Sequence, residues 1–381
     1  MKRNAATACW LLAFAGAVQA QEPPTVELQP ATAVLNDPDR RFTWLTSLRE
    51  LRDGRVIVVD NRENRLEVLD TTLRRSTAIG REGDGPGEFR RVGWIYPLAG
   101  DSSIVTDPQF RHWYLLDGTR IVRRITGTDP ALRFFDPVIL GADASGHVLG
   151  AKGYKWTSPG GILSIQADSL VLLLGRPGSA DVDTIAILKG QAKQNVVQRT
   201  GTSTRPANLS PFTTEDVAQL FGDGWIAVAR VEPYRIEWRR PDGEWIHGPP
   251  LPFNARRIGE REKCAVIQAY TTRERPCDPD RIDAQVVLPA FLPIAGTAMF
   301  APASPTVHTM PDGRLLIRRT PGTVSAAARY DIVDRRGILA ATLTLPANEA
   351  VVGFGERSIY IVATDDVGLQ TLRRHPWPDD S

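Results

Sequence analysis

Four aromatic residues stand where they could contact a ligand. Trp94 and Tyr96 lead into one apolar run of the chain, and Tyr154 and Trp156 follow another. Tryptophan and tyrosine combine a flat apolar ring with one hydrogen-bonding group, which suits contact with peptides and glycans. Large rings also fill the spaces between packed sheets, and that is their more common role. The sequence predicts ligand contact for these four residues and leaves packing open as the alternative.

The spacing of Cys264 and Cys277 suits a disulfide. An even number of cysteines in an exported chain is typical of disulfide pairing, and closing this short loop would contribute roughly 3 kcal/mol. The spacing is not the Cys-x-x-Cys of redox-active sites, and no histidine lies nearby in sequence to complete a metal site. We therefore predict a structural Cys264–Cys277 disulfide.

The segment 80–89 is rich in glycine, with Gly83, Gly85 and Gly87 at alternate positions. It lacks the Gly-Lys-Ser/Thr ending of a phosphate-binding loop, and no helix pattern follows it. The glycines therefore indicate turn chemistry. Asp84 and Glu88 of this segment could bind a cation, although two carboxylates in a flexible link are usually solvated.

These residues must be positioned by a unit that the chain repeats. The segment that begins at Asp60 and ends at Asp70 returns, with the same spacing, from Asp107 to Asp117. Six times, a short turn precedes a β-rich apolar run, and several turns contain Asp-Gly, which supplies the positive φ of tight hairpins. The runs begin near residues 56, 103, 147, 225, 314 and 359. Six strand-rich units of about 50 residues predict an all-β, six-bladed β-propeller with four-stranded blades.

Three stretches depart from the regular repeat. Blade 3 is expected to use residues 162–166, 169–174 and 184–188 as its outer strands, and residues 25–28 form a spare strand that would join the carboxy-terminal blade and close the ring. Residues 251–300 are predicted to be an insertion between blades 4 and 5 with a helix over 257–270. Such insertions often act as lids or binding loops, and a loop without function is the alternative. Residues 21–381 would then form one domain.

Two motifs resemble a known family. The run from Val58 through Asn64 to Asp70 resembles the core of the NHL repeat, and segment 80–89 is similar to the link that NHL proteins place between blades. The chain is similar to exported bacterial six-bladed propellers of NHL type. The resemblance implies the architecture over the whole mature chain, whereas propellers of this kind include lactonases, lyases, sensors and scaffolds.

Catalytic and metal-binding residues do not form a set that the sequence can assign. The strand predictions place His308 on an innermost strand, His147 on a second, His112 on a third and His247 on an outer strand, which argues against a three-histidine zinc site like that of amidating lyases in the wider NHL group. Gluconolactonase-type propellers hold a divalent cation with a Glu, an Asn and an Asp. Glu50, Asn208 and Asp331 are nominal candidates, but their sequence contexts do not match, and no Gly-x-Ser-x-Gly elbow occurs. We predict no catalytic residue, metal or cofactor.

The first 20 residues have the layout of a secretory signal peptide. Lys2 and Arg3 precede an apolar run that is too short to span a bilayer, and small residues end at Ala20. Loss of Lys2 and Arg3 leaves equal numbers of basic and acidic residues, which argues against a nucleic-acid partner. We expect a periplasmic or secreted protein with no membrane span after cleavage.

Together these features predict an exported, non-catalytic propeller that binds a peptide, glycan or protein partner through one face of the ring, with residues 251–300 as a rim or lid. The alternative is a metal-dependent lactonase or lyase with a cation on the channel axis, since preformed axial cavities often serve as sites. A closed ring has no edge strand that requires a partner, so a monomer is expected.

Overall fold

The structure is a computed structural model. It describes residues 23–35, 41–107, 112–126, 139–156, 163–165, 168–179, 181–190, 196–200, 203–207, 214–257, 259–260, 282–283, 287–292, 305–321 and 326–378. The predicted signal peptide and both cysteines, Cys264 and Cys277, lie outside these ranges. No helix among the described residues is long and apolar enough to cross a membrane.

Six antiparallel sheets follow one another along the chain as the blades of a β-propeller, which confirms the predicted all-β architecture. Blade 1 contains the strands Leu45–Glu50, Val56–Asp60, Arg65–Leu69 and Ser76–Ala78. Blade 2 contains Ile95–Pro97, Ser102–Asp107, His112–Asp117 and Arg120–Ile125. Blade 3 contains Ile139–Ala142, Val148–Lys152, Ser169–Gly175 and Val182–Lys189. Blade 4 contains the strands Val217–Leu220, Ile226–Val231, Tyr234–Arg239 and Trp245–His247. Blade 5 contains Val307–Thr309, Leu315–Arg318, Ala328–Val333 and Leu339–Leu345. Blade 6 contains Glu349–Phe354, Ser358–Thr364 and Gln370–Pro376.

The ring is held together by apolar clusters between adjacent blades. Side chains alternate across a strand, so Val56 and Val58 pack against blade 6 while Ile57 and Val59 pack against blade 2. The same division continues around the ring, with four further clusters between blades 2 and 3, 3 and 4, 4 and 5, and 5 and 6. Two-sided burial explains why the second strands read as continuous apolar runs.

The strand that closes the ring differs from the predicted one. Ala33–Val34 is the fourth strand of blade 6 and pairs antiparallel with Arg373 and Arg374. The predicted closing segment, residues 25–28, instead places Thr25–Val26 parallel to Thr342 and Leu343, which makes blade 5 five-stranded. Val26 and Leu28 there cover the cluster between blades 5 and 6, an apolar surface that the segment could not reach from the edge of blade 6.

Two other local predictions differ from the structure, one over a whole strand and one at its first residue. In blade 3 the segment 162–166 is not an outer strand, because Leu163–Ile165 pairs with Tyr154–Trp156 as a separate hairpin. In the insertion Arg256–Arg257 is a strand paired with Val287–Leu288, where the helix over 257–270 was expected to begin. Glu260 has α-helical geometry, and residues 261–270 lie outside the described ranges.

The predicted positive-φ turns are present between the first and second strands. Gly54, Gly146, Gly224 and Gly313 have φ of 81°, 82°, 85° and 84° in four different blades. In each case the glycine amide donates to the carbonyl three residues earlier. The repeat therefore preserves one turn geometry, which L residues with a Cβ adopt only at a cost.

Removal of the amino-terminal strands should separate their two roles. A mature chain that starts at residue 31 loses only the fifth strand of blade 5, and we expect a drop in the melting temperature of a few degrees. A chain that starts at residue 36 also loses Ala33–Val34 and the fully buried Leu35, and its unfolding free energy should fall by more than about 3 kcal/mol. Thermal melts of the two chains check this, and equal stability would contradict closure by Ala33–Val34.

Substitution of Gly337 should destabilise the contact between blades 4 and 5. A Cβ at Gly337, whose φ is +77°, would lie 2.5 Å from the Cα of Gly248, whereas a Cβ at Gly368, with φ +85°, would meet open space. Gly368→Ala is the matched control and should cost about 1 kcal/mol from its backbone alone. Gly337→Ala should cost at least about 2 kcal/mol more because blades must separate. Urea denaturation measures both, and equal losses would refute the close packing.

Candidate functional site: the link face

The two faces of the ring differ in what they carry. Because neighbouring strands in a blade are antiparallel, the links between blades and the turns between second and third strands meet at one face, which we call the link face; it includes connections 61–64, 79–94, 190–216 and 251–306. The turn face carries the turns between first and second strands, such as 51–55, 221–225 and 310–314. The turn face is formed by short hairpins, so added segments concentrate on the link face.

Segments beyond the blades extend from the link face in blades 3 to 5. The hairpin of Tyr154–Trp156 and Leu163–Ile165 continues from the second strand of blade 3. The link between blades 3 and 4 forms the strands Val196–Thr200 and Ser203–Ala207, and Ile282–Asp283 of the insertion adds to them as a third strand. Two different links therefore build one small sheet, which we call the cap.

Both ends of the insertion are fixed to the ring at the gap between blades 4 and 5. The Arg319 guanidinium donates to the Pro252 carbonyl at 3.1 Å and lies over the Phe253 and Tyr234 rings at 4.9 to 5.2 Å. At the returning end, the Thr320 amide donates to the Ala290 carbonyl, and the fully buried Phe291 packs against Tyr234. These contacts hold both ends of the insertion against blades 4 and 5 at one place, which we call the base.

Asp331 is the charged centre of that base. Its carboxylate is fully buried, accepts a hydrogen bond from the Tyr234 hydroxyl at 2.9 Å, and pairs with Arg319 at 2.6 Å. Burial raises the pKa of Tyr234, and the Asp331 carboxylate raises it further, so the phenol stays protonated as a donor. Arg319 neutralises a carboxylate that would otherwise be costly to bury.

The three nominal lactonase-type residues do not converge. Glu50 ends the first strand of blade 1 at the turn face, where it accepts a hydrogen bond from the buried Tyr360 hydroxyl. Asp331 lies on a third strand, beneath the link face, and Asn208 lies outside the described residues. Burial and the nearby Glu50 carboxylate raise the pKa of Tyr360.

The repeated aspartates hold the links in place. Asp60 is fully buried and accepts hydrogen bonds from the Thr43 and Trp44 amides at 2.8 and 3.2 Å. Asp107, at the equivalent position in blade 2, accepts one from the Arg91 amide at 2.8 Å. A buried carboxylate with backbone donors satisfies groups that would otherwise be left unpaired. The recurrence of these residues in the sequence is therefore structural.

The repeated arginines are structural as well. In three blades an arginine on the third strand pairs with the acidic residue two positions later on the same side. The pairs are Arg65 with Glu67 at 3.6 Å, Arg235 with Glu237 at 2.5 Å and Arg329 with Asp331 at 3.8 Å. The alternation of a strand places each pair on one side of its blade.

The glycine-rich link is occupied by its own side chain. The Glu88 carboxylate accepts a hydrogen bond from the Gly85 amide at 2.7 Å and pairs with Arg81 at 2.6 Å. A Cβ at Gly83 would collide with it. Asp84 is paired with Arg90. The glycines therefore make room for an internal carboxylate, in agreement with turn chemistry.

The predicted aromatic residues divide into two groups. The Tyr96 hydroxyl donates to the Ile139 carbonyl at 2.6 Å and its ring packs between blades 2 and 3, where burial raises its pKa. Trp94 precedes the same strand and is half-buried at the link face. The strand Tyr154–Trp156 leaves blade 3 at that face, and its side chains are not among those that the structure describes. The link face thus carries Trp94 and the backbone of that strand, whereas Tyr96 is engaged in packing.

The sequence analysis did not single out Trp44, which precedes the first strand of blade 1. It lies opposite Asn61, whereas Trp94 lies opposite Thr106, so the two tryptophans do not occupy equivalent positions of the repeat. Each tryptophan directly precedes the first strand of its blade, at the mouth of the channel on the link face. Trp44 stands 16 residues before Asp60 and Trp94 stands 13 residues before Asp107, so the repeat spacing alone could not have revealed Trp44.

The histidines lie on the strands that the sequence predicted, apart from His147, which directly precedes its second strand. His308 on the first strand of blade 5 is buried, and its Nε2 bonds the Pro305 carbonyl at 2.9 Å. Burial lowers the pKa of His308 to about 4. Within the described ranges, no three His, Cys, Asp or Glu side chains are grouped so that they could hold a metal ion.

No protein-family model matches the chain. No curated protein sequence matches it either. Among solved structures, a member of the DUF4221 family from Bacteroides vulgatus is similar, with a TM-score of 0.52 and 8% identity over 93% of this chain and 98% of the other. That likeness shows the propeller fold alone.

Two enzymes are similar at lower TM-scores. A gluconolactonase from Xanthomonas campestris has a TM-score of 0.46 and 9% identity over 93% of this chain and 99% of its own. The virginiamycin B lyase from Staphylococcus aureus has a TM-score of 0.43 and 9% identity over 92% of this chain and 99% of its own. Neither similarity supports an activity for this chain.

Acid should weaken the ring through His308. Its folded pKa of about 4 lies below the ordinary 6.5, so the unfolded chain takes up this proton first and stability falls as the pH drops from 6.5 to 4. His308→Gln keeps a donor for Pro305 but does not titrate, and should remove up to about 3 kcal/mol of that loss. Urea titrations at pH 7.5, 5.5 and 4.5 compare the two chains.

The matched control is Val367→Gln, at a position that does not titrate and is 77% exposed, and it should retain the full pH dependence of the natural chain. Identical pH slopes for all three chains would show that His308 is not the responsible group.

Proposed function

We propose that this protein is an exported, non-catalytic binding module that engages a peptide, glycan or protein partner through the link face, with insertion 251–300 as its rim. One observation carries the proposal: the segments described beyond the blades, apart from the amino-terminal strands, leave the ring at that face. Binding residues are commonly placed on loops that a rigid scaffold positions. The turn face offers only short hairpins.

The way the insertion is anchored supports a functional rim. Its two ends meet where Arg256 and Arg257 pair with Leu288 and Val287, so the intervening residues leave and return at one point. Arg319, Phe253 and Phe291 fix that point to blades 4 and 5. The strand Ile282–Asp283 then reaches the hairpin of the preceding link. A segment without function would not require attachment at its base and at the cap.

Export rests on the sequence. The signal-like residues 1–20 and the proposed Cys264–Cys277 disulfide both suit the periplasm or the exterior. Kinship with NHL-type propellers is inferred from the run around Asn64 and from segment 80–89. A closed ring supports a monomer.

The alternative is a metal-dependent lactonase or lyase. No observation within the described residues favours it, since the carboxylates most suited by position are engaged: Asp60 and Asp107 with backbone amides, Asp331 with Arg319, and Glu50 with Tyr360. The binding role is therefore the better supported of the two.

Replacement of the insertion tests the binding role. Because Arg257 pairs with Val287, residues 258–286 can be exchanged for Asn-Gly, which forms a two-residue hairpin turn. The mature chain is applied to glycan and peptide arrays, and dissociation constants are measured for what it binds. We expect the exchange to weaken binding by at least about tenfold, with a melting temperature close to that of the natural chain because the ring clusters are unchanged.

The control is Arg336→Ser on the turn face, whose side chain is 77% exposed and which should bind as the natural chain does. Binding that survives the exchange but is lost in Arg336→Ser would place the binding site on the turn face and contradict the proposal. A stoichiometric divalent cation whose chelation lowers the melting temperature would favour the metal-dependent alternative.

A further inference from the structure

Two tryptophans differ from the others in where they pack. The sequence contains nine tryptophans. Five of the seven whose side chains are described belong to the apolar clusters or pack against them: Trp113, Trp225, Trp238, Trp245 and Trp377. Trp44 and Trp94 are half-buried and belong to none of these clusters. Within the described part of the chain, packing in these clusters therefore accounts for the five other rings and not for this pair.

The backbone of each tryptophan is held by hydrogen bonds within its own blade. The Asn61 amide donates to the Trp44 carbonyl at 3.1 Å, and the Thr106 amide donates to the Trp94 carbonyl at 2.9 Å. The Trp44 amide is itself bound by Asp60, and the Trp94 amide donates to the Thr106 hydroxyl at 3.1 Å. Both tryptophans are therefore held by backbone bonds on both sides, a degree of fixation that lowers the entropy cost of binding.

Direct hydrogen bonds join the first strands of the two blades near the tryptophans. Thr46, two residues after Trp44, donates its hydroxyl to the Gly93 carbonyl at 2.8 Å, and the Ile95 amide donates to the Ser47 hydroxyl at 3.0 Å. The first strands of blades 1 and 2 thus begin side by side at the channel mouth. Trp44 and Trp94 directly precede these two strands, on the link face of adjacent blades.

Polar groups surround the pair. The Thr43 hydroxyl donates to Glu63, the Asn61 side-chain amide donates to the Val92 carbonyl, and Arg91 donates to the Asn61 carbonyl. The exposed large aliphatic residues lie elsewhere in the chain: Val34, Val122, Ile187, Val287, Ile338 and Val367. A protein partner is usually bound by aromatic residues that lie in the apolar centre of the interface. Aromatic rings among amide, hydroxyl, carboxylate and guanidinium groups instead match a ligand that is apolar on its faces and hydroxylated at its rim.

We propose that Trp44 and Trp94 form a stacking platform for carbohydrate. A pyranose ring presents weakly positive C–H groups to the negative face of an indole, while its hydroxyls accept and donate hydrogen bonds with groups such as Asn61, Arg91 and Glu63. Two platforms on adjacent blades suit consecutive sugars of an oligosaccharide or polysaccharide. The inference rests on the proposed function and names the ligand class for the same face.

The test uses the mature chain with defined soluble glycans as probes: a β-1,3-glucan, a β-1,4-glucan, a xylan, an α-1,4-glucan and muropeptides. Affinity electrophoresis identifies which of them bind, and calorimetry measures dissociation constants. Trp44→Ala and Trp94→Ala should each weaken binding at least about tenfold. Their melting temperatures should stay within a few degrees of the natural chain, since neither ring belongs to an apolar cluster.

Trp225→Phe on the turn face is the control, because that half-buried ring lies against Arg335 and Arg240, and it should retain full affinity. The inference is overturned if none of the glycans binds, or if one binds and both alanine variants retain its affinity. A peptide that binds the mature chain and is lost when residues 258–286 are exchanged would reject carbohydrate and leave the proposed function standing. If a glycan or a peptide binds and no link-face variant weakens that binding, both the carbohydrate inference and the proposed function are rejected.

Discussion

The structure depends on the burial of both faces of every blade. Val56 and Val58 contact one neighbour while Ile57 and Val59 contact the other, and the same arrangement recurs in each pair of blades around the ring. A blade on its own would expose two apolar surfaces, so stability is reached only when the ring closes. Ala33–Val34 completes that closure by covering the last free edge of blade 6, which joins the two ends of the chain through backbone hydrogen bonds.

Closure brings charged groups into the interior, and the chain satisfies them with its own links. Asp60 and Asp107 accept hydrogen bonds from amides that precede the first strands of their blades, and Asp331 is neutralised by Arg319. Each buried carboxylate therefore fixes a connection at the link face. The same bonds that make burial tolerable also give the face a defined shape, because a link held at its amides cannot shift without unpairing a buried charge.

Stability and variation are thus separated in space. The clusters between blades require the repeat, whereas the link face tolerates a hairpin in blade 3, a cap strand from the insertion and two tryptophans that serve no cluster. The half-buried Trp44 and Trp94 gain their fixed placement from the ring without contributing to its core. Residues on such a surface can change to bind a ligand without loss of stability in the clusters between blades. The same propeller fold therefore occurs in proteins of unrelated function.

The sequence by itself determined six strand-rich units, the positive-φ turns at Gly54, Gly146, Gly224 and Gly313, and the strands of His112, His247 and His308, because period-two alternation and turn chemistry are local. It also pointed to Trp94. It could not choose between Thr25–Val26 and Ala33–Val34 as the closing strand, nor detach Leu163–Ile165 from blade 3, because short apolar runs fit several edges equally well. Only the tertiary structure decided those pairings and separated Tyr96, in the interface between blades 2 and 3, from Trp94 at the link face. These relations join residues that are far apart in the chain, and ring closure is what brings them into contact.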